Sequence, residues 1–419
     1  MSLQGPVIVV AETPASDLVD ALGAAGAFPI VEAKWADAPT AFVAVKPAAI
    51  VIAEPGAPPS ETNARMLCLQ VATAAGPVVP VIARTFADQD AAVPIALPAD
   101  ASLPIDRLIT RLRSALRVRA LHSTVLRRID TFAAHGSKLP ALPVGDALED
   151  ATVLVTGRGP LYPKLSVAMG ERVGVVGALS VEAAARHMNS RDIDGVVIGD
   201  GFSQRMIEAF LTVLAQNDRF RDIPVVVIGD VPPDLAERFI SIDRVGSDPA
   251  RAVARMVPLV RLHAFQARLT RMLNAIETEG MFDAETGLLS YDYFLRDLSK
   301  SVADAANGGH SLSLARISFE APLGRRARLD GARLVTRLTR SSDFACQGDD
   351  GAILAVFAQT DLNSAHVAAR RMAAALRNKM VSAEHDRLAA HVTLATLKAN
   401  DNVDSLLTRV MGGAVVAAK

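Results

Sequence analysis

A chain of 419 residues is too long for one hydrophobic core and points to about two to four domains. Half of its residues are hydrophobic but only 4% are aromatic, an aliphatic balance that suits helices packed on parallel sheets. Lys and Arg number 44 and Asp and Glu 45, so the net charge of -1 excludes a global field for nucleic acid or an anionic membrane, and an anionic partner must be held by a local site. Cys68 and Cys346 share no metal-ligand or redox spacing, which implies a reducing compartment and two ordinary thiols. The opening MSLQGPVIVVAETP lacks a basic segment before its apolar run, and no stretch reaches the roughly 18 apolar residues of a membrane helix, so the expected location is cytoplasmic.

The first segment alternates strand-like runs at residues 6–11, 48–53, 78–83 and 93–97 with helical patterns at 16–25 and 61–75. That alternation predicts a parallel, doubly wound sheet. A long Arg- and Leu-rich amphipathic helix follows from 105 to about 134 and stops at the linker AHGSKLPALPVGD. The pattern then restarts, with strands at 151–156, 174–176, 195–198 and 224–228, helices at 181–188 and 202–215, and a second long helix at 249–279. Such a helix suits transmission of orientation, dimerisation or a solvated connection. The third segment differs: a strand at 312–319, a basic helix, a strand-turn-strand at 344–357, an Ala-rich helix at 364–379, a strand at 391–397 and a last helix predict an α+β domain. The expected domains are 1–135, 150–279 and 280–419.

The two N-terminal copies resemble the flavodoxin-like receiver domains of response regulators. That resemblance implies an acidic pair after the first strand for Mg²⁺, an acceptor Asp after the third, and a hydroxyl after the fourth. The first copy has Ala53 at the acceptor position and only Ala11 and Glu12 for the acidic pair, with Thr85 alone matching as the hydroxyl. The second has Gly199 as acceptor, with Asp200 one residue late as a weak candidate, and Thr156, Gly157 and Arg158 where the acids belong. Neither copy is expected to be phosphorylated, and both read as dimerisation and docking modules.

In the third segment, Asp283-Ala-Glu-Thr286-Gly287-Leu288 and the following Phe294 resemble the opening of GGDEF, or diguanylate-cyclase, domains of nucleotidyl-cyclase-like fold. Two receivers before a GGDEF domain resemble the PleD and PopA group of response regulators. The resemblance implies a G-G-[DE]-E-F active-site turn, where this chain has Asp349-Asp350-Gly351-Ala352-Ile353. It also implies carboxylates for the metal in the strand LARISFE, where Arg316 and Ser318 stand. An Arg repels the cations that site must hold, so no catalytic or metal-binding residues are expected. The family's inhibitory R-x-x-D site is matched by Arg340-Ser-Ser-Asp343, and counting forward from Ile353 gives Arg371 as the third ligand residue. Arg can donate two bonds to guanine O6 and N7, and Asp can accept from guanine N1 and N2.

The bland alternative for Arg340 and Asp343 is an i,i+3 ion pair at a helix end. Asp349 and Asp350 equally suit a solvated turn, and Arg325, Arg326 and Arg328 a solvated helix face. The sequence leads to a degenerate, non-enzymatic effector that binds cyclic di-GMP at Arg340, Asp343 and Arg371, without a catalytic cofactor, acting as a homodimer and through a protein partner. A ligand-free scaffold and a residual diguanylate cyclase are the alternatives.

Overall fold

Short β-branched runs with both faces apolar can only be satisfied between two layers of helices, and that is how the first two segments fold. The computed structural model describes residues 3–53, 61–83, 96–98, 104–134, 145–217, 219–220, 222–229, 242–277, 281–283, 286–320, 325–348, 350–379, 390–412 and 416–417. In the first segment β1 (Gln4–Val10), β2 (Phe28–Ala33), β3 (Ala49–Ile52), β4 (Val81–Ala83) and β5 (Ala96–Pro98) form a parallel sheet of order β2-β1-β3-β4-β5. Leu18 and Leu22 of α1 (Ser16–Ala24) pack on one face together with α4 (Ile105–Ala133). Phe42 of α2 (Ala38–Val45) and Leu67 and Val71 of α3 (Glu61–Thr73) cover the other.

The second segment repeats the plan. Strands β6 (Thr152–Thr156), β7 (Gly174–Ala178), β8 (Gly195–Ile198), β9 (Val225–Ile228) and β10 (Ile242–Val245) are ordered β10-β9-β8-β6-β7. They are flanked by α5 (Leu161–Gly170), α6 (Val181–Ser190), α7 (Gln204–Gln216) and α8 (Pro249–Glu277). Numbered within its own segment, each sheet runs 2-1-3-4-5, the doubly wound order with a switch point beside the first strand.

The third segment is built differently, as its mixed pattern predicts. After α9 (Tyr291–Gly308) come β11 (Leu312–Phe319), α10 (Arg325–Leu338), β12 (Phe344–Gln347), β13 (Ile353–Ala358), α11 (Leu362–Lys379), β14 (Ala390–Thr396), α12 (Val403–Gly412) and β15 (Val416–Ala417). The sheet is ordered β12-β13-β11-β14-β15 with antiparallel pairing throughout. Helices α10 and α11 cover one face, and α9 and α12 the other. The opening motif forms a tight turn: Asp283 Oδ1 accepts from the backbone N–H and the hydroxyl of Thr286, both at 2.8 Å, while Gly287 takes φ +69°. Leu288, Leu289 and Phe294 then enter the core.

Several elements go beyond the sequence reading, among them α2, α5 and β15. Pro29 masks β2 and the charged Asp243-Arg244 pair masks β10; both lie at sheet edges, where a proline or a charge is tolerated. Helix α9 follows directly on the opening turn, whose motif hides its start. The expected strand at 93–97 begins at Ala96 among the described residues, while Thr85, Gly280, Asp349 and linker residues 135–144 lie outside them.

The long helices pack against each other and do not stand alone in solvent. Leu108, Leu112, Val118, Leu121 and Val125 of α4 bury against Leu262, Leu269 and Leu273 of α8. The two helices run parallel: Arg111 of α4 and Arg255 of α8 both meet Asp243 of β10 near one end, His122 meets Phe265 edge-on at 5.4 Å midway, and Phe132 joins Ile276 at the far end. Each has 29 residues, a spine about 40 Å long.

The spine carries the third segment on a buried charge. Asp297 of α9, with no exposed surface, accepts from Thr131 Oγ1 at 2.7 Å and from the Arg128 guanidinium, while Arg127 Nε lies 3.6 Å away. Arg127 and Arg128 also lie over the ring of Phe344, at 4.8 and 5.5 Å from its centre. Removing the carboxylate strands two buried guanidiniums. Asp297→Ala is therefore expected to lower stability by about 3–5 kcal/mol in urea unfolding, whereas Asp192→Ala, at the exposed pair with Arg219, shifts it by less than about 1 kcal/mol.

Candidate functional site

Arg340 follows the end of α10, and the chain turns there so that Asp343 N–H donates to Arg340 O at 3.0 Å before β12 begins. The turn directs the Asp343 side chain inward, where it is 9% exposed and its Oδ1 accepts from Ala358 N–H at 3.1 Å and Ser342 Oγ at 3.4 Å. Asp343 thus ties the start of β12 to the end of β13. No hydrogen bond reaches its second oxygen among the described residues.

Facing this turn, α11 supplies Arg371, and the two arginines and Asp343 line one small cavity of about 20 Å³ floored by Leu338, Phe357, Ala368 and Met372. Residues 28 and 31 positions apart are thereby brought together with Arg340, which is separated from Asp343 by a single turn. Arg340 and Arg371 are exposed, and among the described residues neither makes an ion pair, with Asp343 or any other group. The i,i+3 pair that the spacing allows is not formed. Burial pushes the Asp343 carboxyl up to about 6, against the pull of the Arg340 charge, the hydrogen bonds from Ala358 and Ser342, and the Arg127 charge.

The turn corresponding to the family's active site is closed on itself. Gly348 N–H donates to Ala352 O at 2.8 Å, Gly351 N–H donates to Gly348 O at 2.9 Å, and Gly351 takes φ +78°, a conformation that favours glycine. Arg316, in the middle of β11, donates to Asp350 Oδ2 at 2.6 Å, and Asp350 Oδ1 accepts from Ala352 N–H at 3.0 Å. Burial works to raise the Asp350 carboxyl, but these bonds and the Arg316 charge outweigh it and hold it below its usual range. Ser318 sits in the β11 register opposite His391. Among the described residues no three His, Cys, Asp or Glu side chains cluster as a metal site.

The receiver-like positions are occupied as follows. Gly199 and Asp200 follow β8, and the Asp200 backbone O accepts from Arg158 and Gly159 N–H at 2.9 and 3.1 Å. The Asp200 side chain packs against Gly159, where an added Cβ would lie 2.0 Å from Oδ2. Glu12 accepts from Trp35 N–H at 3.2 Å, and Ala53 follows β3. Cys346 is buried in β12 and its thiol is pushed upward by burial, while Arg328 is exposed on α10.

One feature had no signal in the sequence. A cleft of about 440 Å³ lies between the second sheet and α8, lined by Asp192, Asp194, Arg219, His263, Arg268 and Arg271. Its polar groups come from three separate stretches, and most are engaged: His263 Nδ1 with Asp194 at 3.1 Å, Arg219 with Asp192 at 3.2 Å, and Arg268 with Gly145 O at 2.9 Å.

No family model and no curated protein matches the chain. Solved structures resemble part of it. The coiled coil and GGDEF domain of DgcB from Caulobacter crescentus, in complex with c-di-GMP, matches at 16% identity and TM-score 0.30, over 35% of this chain and 84% of that one. The diguanylate cyclase SiaD from Pseudomonas aeruginosa, in complex with its activator SiaC, matches at 19% identity and TM-score 0.31, over 43% and 70%. The FimX GGDEF domain from Pseudomonas aeruginosa matches at 17% identity and TM-score 0.29, over 32% and 90%. Identities and scores at this level do not transfer an activity.

A buried carboxylate held ionised against its surroundings has a stability signature. With its pKa raised from 3.8 to about 6, Asp343 binds its proton more tightly in the folded than in the unfolded protein. Its contribution to stability is therefore fully present below about pH 4 and is lost as pH rises through 6, a loss on the order of 2–3 kcal/mol. Asp343→Asn keeps an acceptor for Ala358 N–H without the charge. It is expected to be more stable than the wild type at pH 7.5 and no more stable at pH 4, as measured by urea unfolding at both values.

Proposed function

We propose that this protein is a non-enzymatic effector with a degenerate GGDEF domain, binding cyclic di-GMP at Arg340, Asp343 and Arg371. The observation that carries the reading is the convergence of these three side chains on one cavity, with both guanidiniums unpaired and one Asp343 oxygen open to a donor among the described residues. The cavity has room for about one water, so the nucleotide would lie across the exposed arginines and place only a guanine edge on Asp343. The guanine N1 and N2 hydrogens suit the carboxylate, and the arginines suit O6, N7 and the phosphates.

Loss of diguanylate cyclase activity is supported by Arg316, whose charge stands at the metal-binding position and is spent on Asp350. The two N-terminal segments, with the receiver strand order but Ala53 and Gly199 at the acceptor positions, act in this reading as docking modules for a protein partner. A homodimer would use surfaces other than the mutually buried faces of α4 and α8. Among the described residues no helix is long and apolar enough to cross a membrane.

Calorimetry tests the proposal. The wild type is expected to bind cyclic di-GMP with micromolar or tighter affinity and Arg340→Ala to bind at least tenfold more weakly, an Arg hydrogen bond to a charged group contributing about 1.5–3 kcal/mol. The ligand needs Asp343 ionised, so affinity falls below pH 6, approaching about tenfold per unit. A wild type that binds nothing sinks the reading and leaves a ligand-free scaffold; measurable GTP turnover restores the cyclase.

A further inference from the structure

The row of α8 that faces the second sheet is apolar at four-residue spacing, Ala252, Met256, Val260 and Ala264, and turns basic one step later at Arg268. Beyond Ala264 the helix faces the loops that lead into β8 and β9, and the cleft of about 440 Å³ lies between them. That volume falls within the range of small-molecule sites, about 300–1,000 Å³. The cleft is at the N-terminal edge of the sheet. The opposite edge, where doubly wound domains ordinarily bind ligands, is filled by the protein's own groups: the Asp200 carbonyl accepts from Arg158 and Gly159 N–H, and its carboxylate from Leu161 N–H at 3.4 Å.

The walls of the cleft are tied together. His263 Nδ1 meets Asp194 Oδ1 at 3.1 Å, while Asp194 Oδ2 accepts from Thr152 N–H at 3.0 Å. Arg268 donates to Gly145 O and Asp146 O, and Arg219, paired with Asp192, lies 5.4 Å over the ring of Phe220. A site held open in this way costs little to order when it is filled. Three guanidiniums line it against two carboxylates, an excess of one positive charge before His263 is counted. Both Asp194 oxygens already accept hydrogen bonds, so its charge is committed to the scaffold. The exposed Arg271 makes no ion pair among the described residues. Ile193, Phe220 and Ile223 from the loops, with Ala264 and Ala267 from the helix, supply apolar surface beside it.

We propose that this cleft is a second ligand site, which takes a small organic anion: a phosphate or carboxylate head on Arg271 and an apolar body along Ala267 and Ile223. A guanidinium suits either head, and the apolar lining selects against the bare ion. His263 Nε2 is the ring nitrogen left to meet a further polar group on the ligand, two helical turns from Arg271. The site is separate from the Arg340 cavity and does not depend on cyclic di-GMP.

The test is ligand-detected NMR titration of the full-length protein with phenyl phosphate, benzoate, inorganic phosphate and benzyl alcohol. Phenyl phosphate or benzoate is expected to saturate with a Kd of about 1 mM or tighter. Inorganic phosphate and benzyl alcohol each carry half of the required chemistry and are expected to bind at least about tenfold more weakly. The tighter of the two organic anions identifies the head group. Arg271→Gln removes a charge-assisted bond and is expected to weaken binding about tenfold or more. Ala267→Phe fills the cleft without changing its charge and is expected to do the same, whereas Arg251→Gln, at an exposed position near the start of α8, leaves affinity unchanged. Wild-type affinity in both Arg271→Gln and Ala267→Phe, inorganic phosphate binding as tightly as phenyl phosphate, or no binding of either organic anion overturns the proposal. None of these outcomes bears on cyclic di-GMP binding at Arg340.

Discussion

The architecture depends on one carboxylate. Asp297, without exposed surface, is held by Arg128, Thr131 and the nearby Arg127, all from a helix that starts in the first domain. Such a cluster adds little net stability over a well-packed apolar seam, because desolvation of the charges offsets most of their attraction. What it contributes is register. Leucine ridges tolerate sliding, whereas a buried carboxylate with two guanidiniums and a hydroxyl is satisfied in one placement only. The same helix pairs with α8 through an apolar stripe and with β10 through Arg111 and Asp243, so one rigid spine fixes all three domains.

The two polar centres of the C-terminal domain differ in how their charges are spent. Around the β12–β13 turn, Arg316 and Asp350 neutralise each other and the remaining Asp350 oxygen is capped by backbone. At the R-x-x-D turn, two arginines stay exposed without ion-pair partners among the described residues, beside a carboxylate whose ionisation is opposed by burial. Charges satisfied internally have nothing left for a ligand, while charges left unsatisfied in a concave setting mark where a ligand restores the balance.

The same contrast decides what could be seen in the sequence. Strands such as VIVV and VVVI and the repeated strand-helix alternation specify doubly wound sheets, because central parallel strands leave no choice but continuous apolar runs. Edge strands escaped notice where solvent relaxes that demand, at Pro29 in β2 and at Asp243 and Arg244 in β10. Counting forward from Ile353 leads to Arg371, and the fold brings that residue to the cavity of Arg340 and Asp343. No count reaches the seam: Arg127, Arg128 and Asp297 lie about 169 positions apart, and arginines on an amphipathic helix ordinarily face water. The 440 Å³ cleft was equally hidden, assembled from stretches that have no common pattern.

The magnitudes also bound what a ligand at Asp343 can do. A ligand shifts a conformational equilibrium by no more than its difference in affinity for the two states. In the proposed reading, part of that difference comes from Asp343, whose ionisation is opposed by about 2–3 kcal/mol and would be recovered if guanine donors completed its hydrogen bonds. Breaking the Asp297 cluster costs about 3–5 kcal/mol, which exceeds it. In the proposed reading, ligand binding at Asp343 is therefore too weak a lever to detach the C-terminal domain from the spine.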